Sequence, residues 1–410
     1  MTEREAAGPA ARRLALHLEP RAERAVRRGH PWVYAEGIRR QRSEGTTGDL
    51  AVLFDRDDRF LAIGLYDPAS PIRVRVLQHG TPATIDAAWI AGRIAEAWQL
   101  REPLLAQDTT GFRVVHGEND GLPGLIVDRY GDSAVVKLYT AAWVPYLPAV
   151  VAALQSVFRP VRTVLRLSRA VARAGPALRG LSEGTTLHGS PPDGPVLFHE
   201  FGVTFESDLL HGQKTGFFLD QRDNRARVER LSAGRSVLNV FAYTGGFSLF
   251  AARGGATAID SLDISRPALA AAERNFGHNR SDPRIAAATH RTVQGDAFAV
   301  LAGVAERGAR YGMVVLDPPA FAKSRAEVDV ALQSYQTLTR LGLNVLAPGG
   351  ILVAASCSSR VSAQAFADAV ATAAAGAGRP LDILEQTGHP LDHPIGFAEG
   401  AYLKCIFARA

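Results

Sequence analysis

Residues Ser236–Phe250 read SVLNVFAYTGGFSLF. A short apolar run, Val237–Phe241, is closed by Tyr243-Thr-Gly-Gly246 and followed by a new apolar segment. That is a strand, a glycine-bearing turn and the start of a helix near Ser248–Arg253. The same alternation continues to the end of the chain. Strands are expected at Ala258–Asp263, Thr292–Gln294, Met313–Asp317, Ile351–Ser356 and Leu403–Ala408. Helices are expected near Pro267–Phe276, Ala297–Glu306, Val328–Leu346 and Ala363–Ala374. Continuous apolar strands alternating with helices predict an α/β fold, a mostly parallel sheet with helices on both faces. Internal repeats are not evident.

Upstream the period changes. Short alternating segments at Leu14–Leu18, Leu50–Phe54, Leu61–Tyr66 and Ile72–Leu77, broken by Gly, Pro and Asp, predict a small β-rich module over 12–80. Residues 81–105 read as a helix with Asp86 as cap and Ile90, Ile94, Ala97 and Leu100 as its apolar stripe. Residues 110–200 read as α+β, with strands at Phe112–His116, Leu125–Val127, Ala134–Tyr139 and Thr163–Leu167 and a helix near Tyr146–Phe158. Ser182–Pro195 is turn-rich and reads as a loop. The expected organisation is therefore 12–80, a linker helix and central α+β domain over 81–200, and an α/β domain over 201–410.

A chain of 410 residues that is 47% hydrophobic and 21% charged is neither disordered nor extended. No apolar run approaches the roughly 18–20 residues that span a bilayer, and no apolar segment follows the basic N-terminus as a secretory signal would require. The expectation is a cytoplasmic protein with no membrane partner. Two cysteines, Cys357 and Cys405, exclude a disulfide framework and a cysteine-rich metal site. Residues 1–42 hold ten arginines against five acids, an excess equal to the net +5 of the whole chain. A second basic run comprises Arg159, Arg162, Arg166, Arg169, Arg173 and Arg179. Clustered guanidinium groups suit phosphate oxygens and so a polyanion such as nucleic acid, although charge runs are commonly no more than solvated surface. Only four of the 46 basic residues are lysine: Lys137, Lys214, Lys323 and Lys404. The bias replaces lysine wherever arginine serves, so a retained lysine hints at a site needing a compact charge.

Chemistry-bearing residues fall at successive strand ends. Phe241 and Tyr243 stand where the first two glycines of a dinucleotide fingerprint would be, which disfavours a pyrophosphate ligand. Asp263 ends the second strand, 18 residues after Gly245, where a carboxylate can accept from both ribose hydroxyls. Gly295-Asp296-Ala297 ends the third, where an Asp can accept from an adenine amino group. Asp263 and Asp296 are each also plain helix caps. A ribose, an adenine and no phosphate describe S-adenosylmethionine. The fourth strand ends in Asp317-Pro318-Pro319-Ala-Phe321, a rigid loop that presents carbonyls and could read the amine of a flat base with Phe321 stacked on it; a strand-terminating turn is the plainer alternative. The next ends at Ser356-Cys357-Ser358, with the thiol placed either as a nucleophile or as a small buried apolar group. Cys405, inside an apolar strand, reads as core.

On these motifs the chain resembles the RlmI-type 23S ribosomal RNA (cytosine-C5) methyltransferases. The resemblance runs from about Leu14 to the end. It includes Gly29–Tyr34 (GHPWVY), His116–Tyr130 (HGENDGLPGLIVDRY) and the long His211–Arg225 segment (HGQKTGFFLDQRDNR). It continues through Tyr243-Thr-Gly-Gly-Phe247, Asp317–Lys323 (DPPAFAK), Ser356-Cys-Ser358, Asp392-His-Pro394 and Tyr402-Leu-Lys404. It implies a PUA-like RNA-binding domain, a central domain and a Rossmann-like class I methyltransferase domain with a seven-stranded sheet. Lys214, Thr215, Phe241, Tyr243, Asp263, Ile264, Asp296 and Asp317, with the adjoining Thr244, Gly245, Ser265 and Ala297, would line the S-adenosylmethionine pocket. Cys357 matches the family nucleophile, Asp317 with Pro318 the base-binding loop, and Lys323 joins them as a catalytic candidate. The implied partner is 23S rRNA, free or in an assembly intermediate, and the implied assembly a homodimer. Many RNA 5-methylcytosine enzymes carry a second cysteine where this chain has Ala320, so its product release has to proceed without that helper.

The chemistry expected is methylation at C5 of cytosine. A Cys357 thiolate adds to C6 and makes C5 nucleophilic, with Lys323 or Arg325 as the cation that lowers the thiol pKa. Two alternatives stay open. A methyltransferase acting on a nitrogen atom, as of guanine, needs no cysteine. A non-catalytic RNA-binding assembly factor needs no intact acidic set.

Overall fold

Leu14, Leu16 and Leu18 fall on one face of the first strand and are at most 1% exposed, so the alternation read from the sequence is realised from the start. The computed structural model describes residues 12–322 and 324–410. They form two compact units. The first holds residues 12–201 with Ser207–Leu219 and Leu391–Phe397; the second holds Gly202–Glu206, Asp220–Pro390 and Ala398–Ala410.

In the first unit, β1 (Arg13–Leu18), β2 (Trp32–Tyr34), β3 (Ile38–Gln41), β4 (Leu50–Phe54), β5 (Phe60–Tyr66) and β6 (Ile72–His79) make a sheet in the order β2-β6-β5-β4-β1-β3. β1 and β4 run parallel, Leu14 opposite Ala51 and Leu16 opposite Leu53. Their apolar faces close over Leu53, Leu61, Val74 and Val76. The module is not wholly β. Pro20–Arg27 forms a helix, α1, because Pro20 sits in the first turn, where its missing N–H costs nothing.

α2 (Ala87–Arg101) starts at Asp86, whose side chain accepts from the Trp89 N–H at 2.9 Å. Ile90, Ile94 and Ala97 are buried as expected, but Leu100 is 42% exposed and Arg101 is fully buried in its stead. Steps of four, three and four residues lead from Ile90 to Arg101 rather than Leu100. The guanidinium is tolerated there because it donates to both Asp120 oxygens (2.9 and 2.8 Å), to the Ala97 carbonyl and to the Asp392 carbonyl. β7 (Gly111–His116), β8 (Leu125–Tyr130), β9 (Ser133–Leu138), β10 (Arg162–Leu167) and β11 (Thr186–His188) form the second sheet, ordered β11-β10-β9-β8-β7, with α3 (Leu147–Val157) between β9 and β10. β11 lies inside the stretch read as a loop. Its three residues gain strand geometry only by pairing with β10, across a register shift that local sequence does not signal. β12 (Val196–Glu200) completes this unit's strands.

The second unit begins with β13 (Val203–Ser207) and α4 (Arg222–Leu231). Then follow β14 (Ser236–Val240), α5 (Gly246–Arg253), β15 (Ala258–Asp263), α6 (Arg266–His278), α7 (Pro283–Ala287), β16 (Thr289–Gln294), α8 (Ala297–Glu306), β17 (Tyr311–Leu316), α9 (Val328–Asn344), β18 (Leu346–Ser356), α10 (Ala363–Gly376), β19 (Asp382–Thr387) and β20 (Lys404–Arg409). The seven-stranded sheet runs β16-β15-β14-β17-β18-β20-β19. Five strands are parallel, and β20 is antiparallel to both neighbours. β19 was not expected: five of its six side chains are exposed, so it lacks the apolar alternation that marks a strand, and pairing with β20 makes it one. The core joins Leu238, Val240, Val314, Leu316, Leu352 and Ala354 of the sheet to Tyr335, Leu338, Phe366 and Val370 of α9 and α10. Among the described residues, no helix is long and apolar enough to cross a membrane.

Arg101→Ala leaves Asp120 buried without its charge partner, and the expected cost is about 3–5 kcal/mol. All four tryptophans, Trp32, Trp89, Trp98 and Trp143, lie in the first unit, so urea unfolding followed by tryptophan fluorescence reports it directly. A midpoint equal to wild type would show that the pair stabilises nothing.

Candidate active site

β14 has β15 on one side and β17 on the other, so the strand order reverses at the β14–β17 boundary. Crevices for ligands open at the carboxyl ends of strands where such a reversal occurs. The turn leaving β14 is unusual there. Phe241 (φ 62°), Tyr243 (φ 48°) and Gly245 (φ 79°) all adopt the left-handed conformation. Two aromatic residues thus hold the backbone shape that glycines would normally supply, at a cost of order 1–3 kcal/mol each. At Gly245 the need for glycine is steric as well: a Cβ would stand 2.8 Å from that of Ala272. The turn is tied to the next strand end. The Tyr243 N–H donates to Asp263 Oδ2 and the Ser265 N–H to Asp263 Oδ1, both at 2.8 Å. The carboxylate is therefore fixed in one orientation, with lone pairs left for further donors.

Beneath the turn runs a buried polar chain. Asn239 Nδ2 donates to Ser248 Oγ (2.9 Å), which is 2.6 Å from Ser261 Oγ, itself 2.9 Å from His290 Nε2. Burial pushes His290 down to about 4, so its ring is neutral at working pH. Thr244 is buried; its carbonyl accepts from Asn275 (2.9 Å), and its Oγ1 finds no partner among the described residues. Ile264, next to Asp263, leaves its aliphatic side chain 70% exposed. A fixed carboxylate, an orphaned hydroxyl and an uncovered apolar side chain at two adjacent strand ends fit a nucleoside with a ribose and a flat base. The remaining cofactor candidates are less committed. Asp296 is exposed and spends Oδ1 on the Ala299 N–H (3.0 Å) as the cap of α8, the plainer of its two readings, while Ala297 is buried behind it. Ser265 caps α6 through the Ala268 N–H. Lys214 and Thr215 belong to the first unit. There Thr215 Oγ1 donates to Asp128 (2.6 Å) and lies 2.9 Å from the Tyr130 hydroxyl, and the Lys214 carbonyl accepts from Lys137 Nζ (2.8 Å).

Asp317 follows β17 and is half-buried, and Pro318 is buried. Gln221 Nε2 donates to Asp317 Oδ1 (2.9 Å), Asn224 Nδ2 to Gln221 Oε1 (2.6 Å) and Thr387 Oγ1 to Asn224 Oδ1 (2.6 Å). Gln221 and Asn224 are at most 2% exposed. Neither was singled out beforehand, although both stand in the long His211–Arg225 segment; amides next to charged residues carry no signal of their own. Cys357 follows β18, half-buried, with Sγ 4.0 Å from the Pro318 carbonyl. Ser358 Oγ donates to the Ala322 carbonyl (3.1 Å), so the two loops are tied together beside the thiol. Phe321 is half-buried. Its ring packs against Tyr335 (4.9 Å between centroids) at the edge of the core, because the chain turns back inward after the two prolines. Lys323 lies outside the described residues, and Arg325 is exposed. Cys405 is fully buried, and burial pushes its thiol well up, as a core cysteine requires. In the arginine run, Arg166 is 9% exposed and donates to Glu183 and to the Leu209 and Gly212 carbonyls, so it is structural, whereas Arg159, Arg169, Arg173 and Arg179 are exposed.

A family model for S-adenosylmethionine-dependent methyltransferases matches residues 179–407, and one for the PUA-like domain matches residues 16–79. A Deinococcus radiodurans protein named ribosomal RNA large subunit methyltransferase is 50% identical over 96% of this chain and 97% of its own length. The ribosomal RNA large subunit methyltransferase I of Aeromonas salmonicida is 37% identical over 96% of this chain and 99% of its own. Among solved structures, a methyltransferase complexed with SAH superposes with TM-score 0.82 at 22% identity, covering 97% of this chain and 100% of that one. An S-adenosylmethionine-dependent methyltransferase from Streptococcus mutans gives TM-score 0.80 at 22% identity and the same coverage. At that identity the likeness shows the fold.

Gly245→Ala forces a side chain into a left-handed position against Ala272. Strain of order 1–3 kcal/mol in the turn corresponds to roughly ten- to a hundredfold weaker cofactor binding. Isothermal titration with S-adenosylmethionine measures it, and an unchanged affinity would separate the turn from the pocket.

Proposed function

The chain belongs to the ribosomal RNA large subunit methyltransferase I family of S-adenosylmethionine-dependent methyltransferases, and from that premise we propose that it methylates C5 of a cytosine in large-subunit ribosomal RNA through a covalent cysteine adduct. The observation that carries this reading is the meeting of Cys357 with the Asp317-Pro318 loop, Sγ to carbonyl oxygen 4.0 Å, at the strand-order reversal. A nitrogen methyltransferase has no use for a thiol there.

S-adenosylmethionine, when bound, supplies an electrophilic methyl group. Asp263 accepts from the ribose hydroxyls, with its orientation already set by the Tyr243 and Ser265 N–H groups. Phe241, Tyr243, Thr244, Gly245 and Ile264 would hold the nucleoside, with Ala297 and Asp296 toward its base. The Cys357 thiolate adds to C6 of the target cytosine, forming an S–C6 bond and raising electron density at C5. Asp317, oriented by Gln221, accepts from the N4 amine and so holds the base in place for the thiolate. After C5 is methylated a base takes the C5 proton, the electron pair restores the C5–C6 double bond and the thiolate leaves. With Ala320 in place of a second cysteine, that departure depends on the surroundings of Cys357 alone. Free rRNA or an assembly intermediate suits as substrate, since extruding a base costs least where pairing is incomplete. The PUA-like module and the exposed Arg159, Arg169, Arg173 and Arg179 supply phosphate contacts.

Incubation with labelled S-adenosylmethionine and unmodified large-subunit rRNA, followed by nucleoside mass analysis, is expected to yield 5-methylcytidine. Cys357→Ala is expected to abolish turnover and keep cofactor binding. A methylated guanosine, or full turnover by Cys357→Ala, would overturn the covalent mechanism. Arg169→Glu with Arg173→Glu is expected to weaken RNA binding uniformly across sequences and to lower its salt dependence by about two counterions, read from the slope of log affinity against log salt. An unchanged slope would remove these arginines from the interface.

A further inference from the structure

Beside Cys357 lies a buried cation that the cofactor and base-binding motifs do not explain. Lys404 opens β20 opposite Ser356 of β18 and is 8% exposed. Its Nζ donates to the carbonyls of Ser358 (2.5 Å), Val361 (2.6 Å) and Tyr402 (3.1 Å). Ser358 and Val361 belong to the turn that directly follows the thiol. Three protons of one ammonium thus meet three backbone oxygens, two of them in that turn. A planar guanidinium does not reproduce this tetrahedral arrangement. In a chain with 42 arginines and four lysines, lysine stands where the geometry requires it.

We propose that Lys404 is a positioning residue for Cys357: its ammonium fastens the turn after the thiol by its carbonyls and is the counter-charge of the Cys357 thiolate. This rests on the reading of Cys357 as the nucleophile. Burial pushes Lys404 down from 10.5 to about 8, and Cys357 acts in the opposite direction, raising it; the coupling between two charges is mutual, so the ammonium lowers the thiol in turn. Among the described residues, two further titratable groups near the thiol, Tyr335 and Cys405, provide no positive charge. Tyr335 of α9, which feels both Cys357 and Asp317, is held neutral at about 12. Cys405 is pushed up by burial and by Asp317. Asp317 itself disfavours a second negative charge. The sign follows: below about pH 8 the ammonium supports the thiolate, and the support is lost as pH rises through that value.

The test is the rate of iodoacetamide alkylation of Cys357 in the full-length protein between pH 6 and 10, read by peptide mass mapping for wild type, Lys404→Arg and Lys404→Met. Wild-type Cys357 is expected to show its inflection below the ordinary thiol value of ~8.5. Lys404→Met is expected to move the inflection up by about one unit and slow the reaction at pH 7 about tenfold, with the two rates converging at pH 10. Lys404→Arg keeps the charge but not the three-carbonyl fastening, and its rate at pH 7 is expected to fall between those of wild type and Lys404→Met. A wild-type inflection at the ordinary value, or superposed wild-type and Lys404→Met profiles, overturns the assignment. Cys405 is fully buried, so its alkylation marks a variant that has unfolded, and the wild-type and Lys404→Arg profiles then decide. Alkylation involves neither cofactor nor RNA. Failure of the 5-methylcytidine reading therefore leaves the expected profiles standing, and an ordinary profile beside a 5-methylcytidine product removes the role of Lys404 alone.

Discussion

The pairing of β14 with β17, Val240 opposite Leu316, decides where everything else in the second unit can stand. It sets the left-handed turn at Phe241–Gly245 and the Asp317-Pro318 loop side by side at the carboxyl edge of the sheet. From that pair the sheet grows in both directions. β15 brings Asp263 under the turn, and β18 brings Cys357 next to Pro318. A one-residue slip between β14 and β17 would turn every side chain on one strand to the other face and separate the two loops. The apolar residues that fix this register, Leu238, Val240, Val314 and Leu316, are all at most 2% exposed, so register and core are the same set of contacts.

Much of this was legible in the sequence because parallel strands buried on both faces read as unbroken apolar runs. Val237–Phe241, Met313–Asp317 and Ile351–Ser356 show it, and the acidic residues and the thiol at their ends were found for the same reason. What escaped lacks local cause. β11 and β19 exist through their neighbours rather than through their own periodicity. Leu100 and Arg101 exchange places because a carboxylate 19 residues downstream, at Asp120, makes burying a guanidinium cheaper than the apolar stripe suggests. Phe321 turns inward to Tyr335, a contact that no pattern over Asp317–Lys323 announces. Gln221 reaches Asp317 across 96 positions, and only the fold makes them neighbours.

The basic residues divide by geometry. Planar, bidentate guanidinium groups settle against paired oxygens inside the first unit, Arg101 on Asp120 and Arg113 on Asp128, while the exposed members of the Arg159–Arg179 run remain at the surface. At Lys404 a single point reaches three carbonyls at once. A composition skewed so strongly toward arginine therefore turns each lysine into information about the oxygens around it.

The turn made by Phe241 and Tyr243 also bears on how a ligand is met. Glycines at those positions would relax the folded backbone but leave the loop free to wander before anything binds. Aromatic residues confine it, and Asp263 pins it further through the Tyr243 N–H. The ordering of this loop is thus completed during folding, when the whole sheet forms around it, and little conformational entropy remains to be lost at the moment of encounter. Affinity at such a crevice is governed by how fast the ligand leaves rather than by how long the protein takes to assume the right shape.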